Sequence, residues 1–94
     1  MTNNFKILVS NFPQVISVMP TRFDSHKFIQ KLAELHQSEY ISALQDYIMT
    51  PTPFQSLHKQ IAKELKKSGY VRHIGNVPSA NIFGKINSNA QWEK

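Results

Sequence analysis

Cysteine is absent from this sequence, and glycine occurs only three times in 94 residues. Without cysteine the chain has no disulfide, no thiolate metal ligand, no iron–sulfur cluster and no thiol nucleophile. Three glycines are too few to build a phosphate-binding loop, and no G-x-S-x-G or S-x-x-K pattern is present. We therefore expect neither an enzyme nor a protein that carries a cofactor.

Long apolar runs are also missing. Near the start the longest is Ile7 to Val9, whereas a secretory signal needs about 7 to 15 apolar residues and a membrane-spanning helix about 20. Thr2 stands where myristoylation requires glycine. The sequence thus predicts a cytoplasmic protein with no membrane partner.

The four histidines do not form a metal-binding pattern. None of them lies in an H-x3-H or H-E-x-x-H arrangement, and no cysteine supplements them. We expect no metal site. His58, beside an apolar stripe, is expected to be a partly buried, hydrogen-bonded imidazole, and His73 a surface residue of a strand.

Acidic residues are few, and they are unevenly distributed. Six Asp and Glu stand against 11 Lys and Arg, which gives a formal net charge of +5 and a pI near 9.7. Up to Ile48 four basic residues balance four acidic ones, whereas after it seven basic residues face only two acidic ones. A basic surplus of this kind favours nucleic acid, an anionic membrane or an acidic protein as partner, and the lack of an anchor speaks against the membrane.

The length and the 40% content of apolar residues are those of one folded domain over residues 1–94. We predict a small α+β fold: an N-terminal strand pair, two or three helices and a C-terminal β-hairpin. Residues 1–20 are assigned to the strand pair because β-branched residues are frequent and Pro13 favours a turn. Residues 24–49 have helical spacing after a cap at Asp24 or Ser25, as one helix or as two joined at Ser38.

The clearest helix covers residues 53–68. Thr52 and Gln55 have the spacing of a capping box, Pro53 suits the first helical position, and Gly69 suits the residue after the end. Its apolar face carries Phe54, Leu57, Ile61 and Leu65, and the face roughly opposite carries Lys59, Lys63 and Lys66.

The rest of the chain is predicted as a hairpin over residues 70–86, with strands at 70–74 and 81–86, followed by a polar tail at 87–94. Phe83 falls at a position of the core period and is expected to be buried. Trp92 is expected to be exposed or bound by a partner in the tail, unless it folds back over the core.

A basic helix that ends at glycine and leads directly into a strand, over Ile61 to Val71, resembles the join between recognition helix and wing in winged-helix domains. The resemblance implies binding of duplex DNA, with the helix from Pro53 in or beside the major groove and the hairpin on the backbone. The candidate contact residues are Gln55, Lys59, Gln60, Lys63, Lys66, Lys67, Arg72, His73 and Lys85.

Three other interpretations explain the same charge. A protein-interaction or inhibitor module could dock its basic half on an acidic partner surface. Alternatively, the protein could be a subunit stable only in a homo-oligomer, paired through an open strand edge in Phe5 to Met19. A solvated lysine face without a partner is the simplest interpretation of the pattern.

Overall fold

A computed structural model describes residues 2–94 and confirms the α+β class. Five helices and a three-stranded antiparallel sheet of order β1-β3-β2 make up the described chain. The elements are α1 (Asn3–Ser10), α2 (Phe12–Val18), β1 (Arg22–Asp24), α3 (Ser25–Leu35), α4 (Gln37–Gln45), α5 (Pro53–Lys67), β2 (Arg72–Ala80) and β3 (Ile86–Glu93). Within this part of the chain, no helix has the length and apolar content needed to cross a membrane.

The N-terminal strand pair predicted for residues 1–20 is wrong, because this segment forms α1 and α2. Thr2 caps α1 by accepting a hydrogen bond from the N–H of Phe5 at 3.2 Å. Pro13 lies in the first turn of α2, where its missing N–H costs nothing. Burial at helical spacing overrides the β-branched composition; the buried side chains are Phe5, Leu8, Phe12, Val15 and Ile16.

Residues 24–49 form two helices rather than one. Asp24 caps α3, as predicted, because its carboxylate accepts a hydrogen bond from the N–H of Lys27 at 2.9 Å. The break falls at His36, whose backbone leaves the helical region, and not at Ser38, which lies inside α4. Turns follow α4 over residues 46–49.

The helix predicted over residues 53–68 is confirmed to within one residue. Pro53 opens α5, and Gly69 follows its end with a φ of 77°, a conformation that favours glycine. The predicted capping box is wrong, since the Thr52 side chain makes no cap hydrogen bond. The backbone carbonyl of Thr52 accepts the first hydrogen bond of the helix, from the N–H of Ser56 at 2.9 Å.

The C-terminal hairpin is longer than predicted and shifted along the chain. The turn lies at residues 81–85, so the predicted loop at 75–80 belongs to β2 and the predicted polar tail at 87–94 is mostly β3. β2 lies at the sheet edge, where Pro78 is tolerated. β3 is the central strand. Pairing with β2 along its length accounts for a strand of such polar sequence, while β1 pairs only with Gln91 to Glu93.

A single hydrophobic core joins the helices to the sheet. Trp92 is 2% exposed, so its expected place in an exposed tail is wrong and the alternative of folding back over the core is correct. It lies in β3 between Phe23 of β1 and His73 of β2. In contrast, every residue of β2 is exposed or half-buried. One side of the hairpin therefore stays open, and a groove lies between it and α5.

Candidate nucleic-acid interface

A groove runs between α5 and the hairpin of β2 and β3. It consists of two adjoining cavities of about 370 and 350 Å³, which share Lys59 and Ala62 of α5 and Ala90 of β3 as lining residues. We call it the hairpin groove. Its polar and basic lining residues are Ser25, His26, Gln55, His58, Lys59, Lys63, Lys66, His73, Asn76, Asn81, Asn87 and Asn89.

One wall of the hairpin groove is cationic. Lys59, Lys63 and Lys66 are exposed and lie at spacings of four and three residues, which places them on one side of α5. Among the described residues, no Asp or Glu lines either cavity. The groove therefore carries positive charge that no acidic side chain within it offsets.

The other wall is held in place by hydrogen bonds between the hairpin and the start of α3. The Asn89 side chain accepts from the N–H of His26 at 2.9 Å and donates to Ser79 Oγ at 3.0 Å. His26 Nδ1 lies 2.8 Å from the same Ser79 Oγ, which donates to Asp24 Oδ1 at 3.2 Å. These contacts fix the hairpin against α3 and so set the shape of the groove.

His58 lies at the inner edge of the groove and is uncharged at neutral pH. Its Nε2 is 2.6 Å from the hydroxyl of Tyr40. Burial, aided by the nearby charge of His26, lowers the pKa of His58 to about 4. Burial also raises the pKa of Tyr40 to about 12. The prediction of a partly buried, hydrogen-bonded imidazole is confirmed, and His58 adds no charge to the site.

Five of the nine predicted contact residues come together in the hairpin groove, and Lys85 is exposed in the hairpin turn. Those in the groove are Gln55, Lys59, Lys63, Lys66 and His73. The prediction of His73 as an exposed strand residue is confirmed.

Three predicted contact residues lie elsewhere. Gln60 and Lys67 line a different cavity together with Glu64, whose Oε1 is 3.8 Å from Lys67 Nζ. Arg72 pairs with Glu93, which is also bound by Arg22 at 2.9 Å. These residues face other parts of the surface, because charge alone does not reveal which side of an element a lysine or arginine occupies.

Glu93 joins the ends of the three strands. It is directly opposite Arg22 of β1 and Arg72 of β2 in the sheet register. Hydrogen bonds from Arg22 and then from Arg72 hold the pKa of the Glu93 carboxyl below its ordinary value. Arg72 is thus engaged in cross-strand pairing at the end of the sheet.

The sequence alone does not indicate the asparagine side chains of the groove or the exposure of Phe83. Asn76 had been assigned to a loop and Asn87 and Asn89 to a tail, so no strand signal pointed to them. Phe83 is 61% exposed in the hairpin turn, which contradicts its predicted burial. Asn81 and Gly84, which flank it, are turn-forming residues and are the signal that would have placed it at a tip.

Comparison with protein-family models, with curated proteins and with solved structures finds no match to this chain. Within residues 2–94, no group of three or more His, Asp or Glu side chains is placed to hold a metal ion.

Proposed function

We propose that this protein is a small nucleic-acid-binding module that binds duplex DNA with one strand of its backbone along the hairpin groove. The observation that carries the proposal is the row of Lys59, Lys63 and Lys66 along a groove whose described lining includes no acidic residue. The ion pairs in the described chain use other cations, namely Arg22, Lys31, Lys67 and Arg72. The three lysines are thus available to an external anion.

The dimensions of the lysine row suit a nucleic-acid backbone. From Gln55 to Lys66 the axis of α5 rises about 16 Å, while successive phosphates of one DNA strand are about 3.4 Å apart along the duplex axis. Lys59, Lys63 and Lys66 can therefore each contact a different phosphate of one strand. Lysine contacts of this kind supply affinity and position without reading sequence.

Sequence preference would come from the amides. Gln55 at the start of α5 and Asn76 of β2 line the same groove, and amide side chains pair with the edge of adenine. The order of a basic helix followed by a hairpin is that of a winged helix, which supports placing α5 beside the major groove. An acidic protein surface remains the competing class of partner, and salt dependence separates the two.

The test is fluorescence anisotropy of a labelled duplex of about 30 base pairs, and of its single strand, at several salt concentrations. The wild type is compared with K59Q/K63Q/K66Q and with the control K6Q/K27Q/K94Q. Both variants remove three exposed lysines, but the control residues lie outside the hairpin groove. Because the two variants lose the same charge, a difference in their affinity for DNA reports contact at the groove and not general electrostatic attraction.

We expect the wild type to bind the duplex with log K falling by about 3 per unit of log salt, since each phosphate contact contributes about 0.9. K59Q/K63Q/K66Q should lose most of the affinity and nearly all of this slope, while the control keeps both. If the wild type does not bind DNA at low salt, the proposal is contradicted and an acidic protein becomes the favoured partner. Equal losses in the two variants would show that the groove is not the site.

A further inference from the structure

The turn that joins β2 and β3 is apolar at its tip. Phe83 is 61% exposed and Ile86 is 69% exposed, and Ile82 beside them is also exposed. Turns at the surface are ordinarily polar, and adjacent exposed apolar side chains commonly mark a contact site. Lys85 is the cationic member of the same turn.

The tip is held in a defined conformation. The Asn81 side chain accepts hydrogen bonds from the N–H of Phe83 at 2.9 Å and from that of Lys85 at 3.1 Å. Gly84 donates its N–H to the carbonyl of Asn81 at 2.9 Å and has a φ of 79°, where glycine is favoured. The ring of Phe83 is therefore presented by an ordered turn, which lowers the entropy cost of binding through it.

The tip also lies at one end of the hairpin groove. The ring of Phe83 meets that of Phe54, in the first turn of α5, edge to face at a centroid distance of 5.2 Å. Gln55 and Asn81, close to these two rings along the chain, line the groove. A strand that follows the lysines of α5 toward the start of the helix would thus arrive at Phe83.

We propose that Phe83 stacks on a base at an opened step of the bound duplex, so that the preferred ligand is duplex DNA containing an unpaired or bulged nucleotide. This inference rests on the proposed function of the groove. Charge favours a nucleobase over an apolar protein segment, because the tip adjoins Lys85 and the cationic groove. Aromatic rings stack on any base, and apolar side chains inserted between base pairs open a step.

Selectivity would follow from the cost of opening the step. In a continuous duplex, unstacking consumes most of the energy gained by contact with the ring. Where a nucleotide is already unpaired, that cost is small and the stacking energy is retained. A preference of about tenfold for the bulged duplex is expected from the strength of stacking on one aromatic ring.

The experiment compares two labelled duplexes that differ only by one bulged nucleotide, bound to wild type, F83A, F83L, F83W and I7A. Ile7 is an exposed apolar residue of α1 and serves as the control. We expect F83A and F83L to lose the preference while keeping the affinity for the continuous duplex, and F83W and I7A to retain both. F83L preserves apolar packing against Phe54, so a loss in that variant is not a loss of folding.

Two results would overturn the inference. If wild type binds both duplexes equally, or if F83A and F83L keep the tenfold preference, Phe83 does not stack on a base, while the hairpin groove still stands as a duplex site. If wild type binds neither duplex, the proposed function fails and the inference fails with it.

Discussion

The indole N–H of Trp92 donates a hydrogen bond to Ser25 Oγ at 2.9 Å in the interior of the protein. Ser25 is the first residue of α3 and is itself buried, at 5% exposure. Trp92 belongs to the central strand of the sheet. This bond joins the sheet to the helix that also anchors the hairpin, and it supplies the one polar atom of Trp92 with its partner.

Replacing Ser25 by Ala should destabilise the fold by about 1 to 3 kcal/mol, because the buried indole N–H is left without a partner. Urea unfolding measures the change in free energy. The exposed Ser17, which bonds only to the carbonyl of Gln14 one turn earlier, provides the control S17A, for which little change is expected. When Trp92 is already replaced by Phe, S25A should lower the free energy of unfolding by less than it does in wild type. Equal losses in wild type and in W92F would contradict the role given to this bond.

Acid should destabilise the protein through His58. Its pKa is about 4 in the fold against an ordinary 6.5, so between these values the unfolded state binds more protons than the folded state. The contribution of His58 to stability is complete above pH 6.5 and falls as the pH decreases toward 4. The loss reaches about 2 kcal/mol, allowing for partial solvent screening.

The effect of His58 is measured as the difference in urea stability between wild type and H58Q from pH 7 to pH 4. The advantage of wild type over H58Q should narrow as the pH falls through this window. An NMR titration of the imidazole checks the cause directly. A midpoint near 6.5 for His58 would contradict its burial against Tyr40.

The pairing of Glu93 with Arg22 and Arg72 should stabilise the sheet only while the carboxyl is ionised. Because these arginines lower the folded-state pKa of Glu93, the contribution is present above the ordinary pKa of 4.5 and is lost as the pH falls through the lower value in the fold. E93Q should therefore unfold at a slightly lower urea concentration than wild type at pH 7, and this difference should shrink as the pH falls below 4.5. A difference that persists in acid would indicate a packing effect instead.

Local signals predicted α5 well. All of its signals lie within one short segment: proline at the start, glycine after the end, and lysines spaced by three and four residues. The cationic wall of the groove can therefore be predicted from the sequence. The positions of Lys59, Lys63 and Lys66 on one side follow from helical geometry alone. Lys67, only one residue further, lies on another side of α5 and pairs with Glu64.

Pairing between distant segments was not predictable in the same way. β3 is polar at Asn87 to Asn89, and it is a strand there because these residues pair with Val77 to Ser79 of β2. Asn89 reaches the groove only through that pairing. The strand prediction for the N-terminal segment is wrong for a different reason. Phe5, Leu8 and Phe12 have helical spacing, but Ile7 and Val9 between them are residue types that favour strands.

The central claim, that the hairpin groove binds duplex DNA, is tested most directly by following amide chemical shifts of isotopically labelled wild-type protein during titration with duplex. The account predicts shifts concentrated in α5 from Gln55 to Lys66 and in the hairpin from Asn76 to Asn89, with α1 and α2 unaffected. Shifts confined to α1 and α2, or no shifts at low salt, would contradict it.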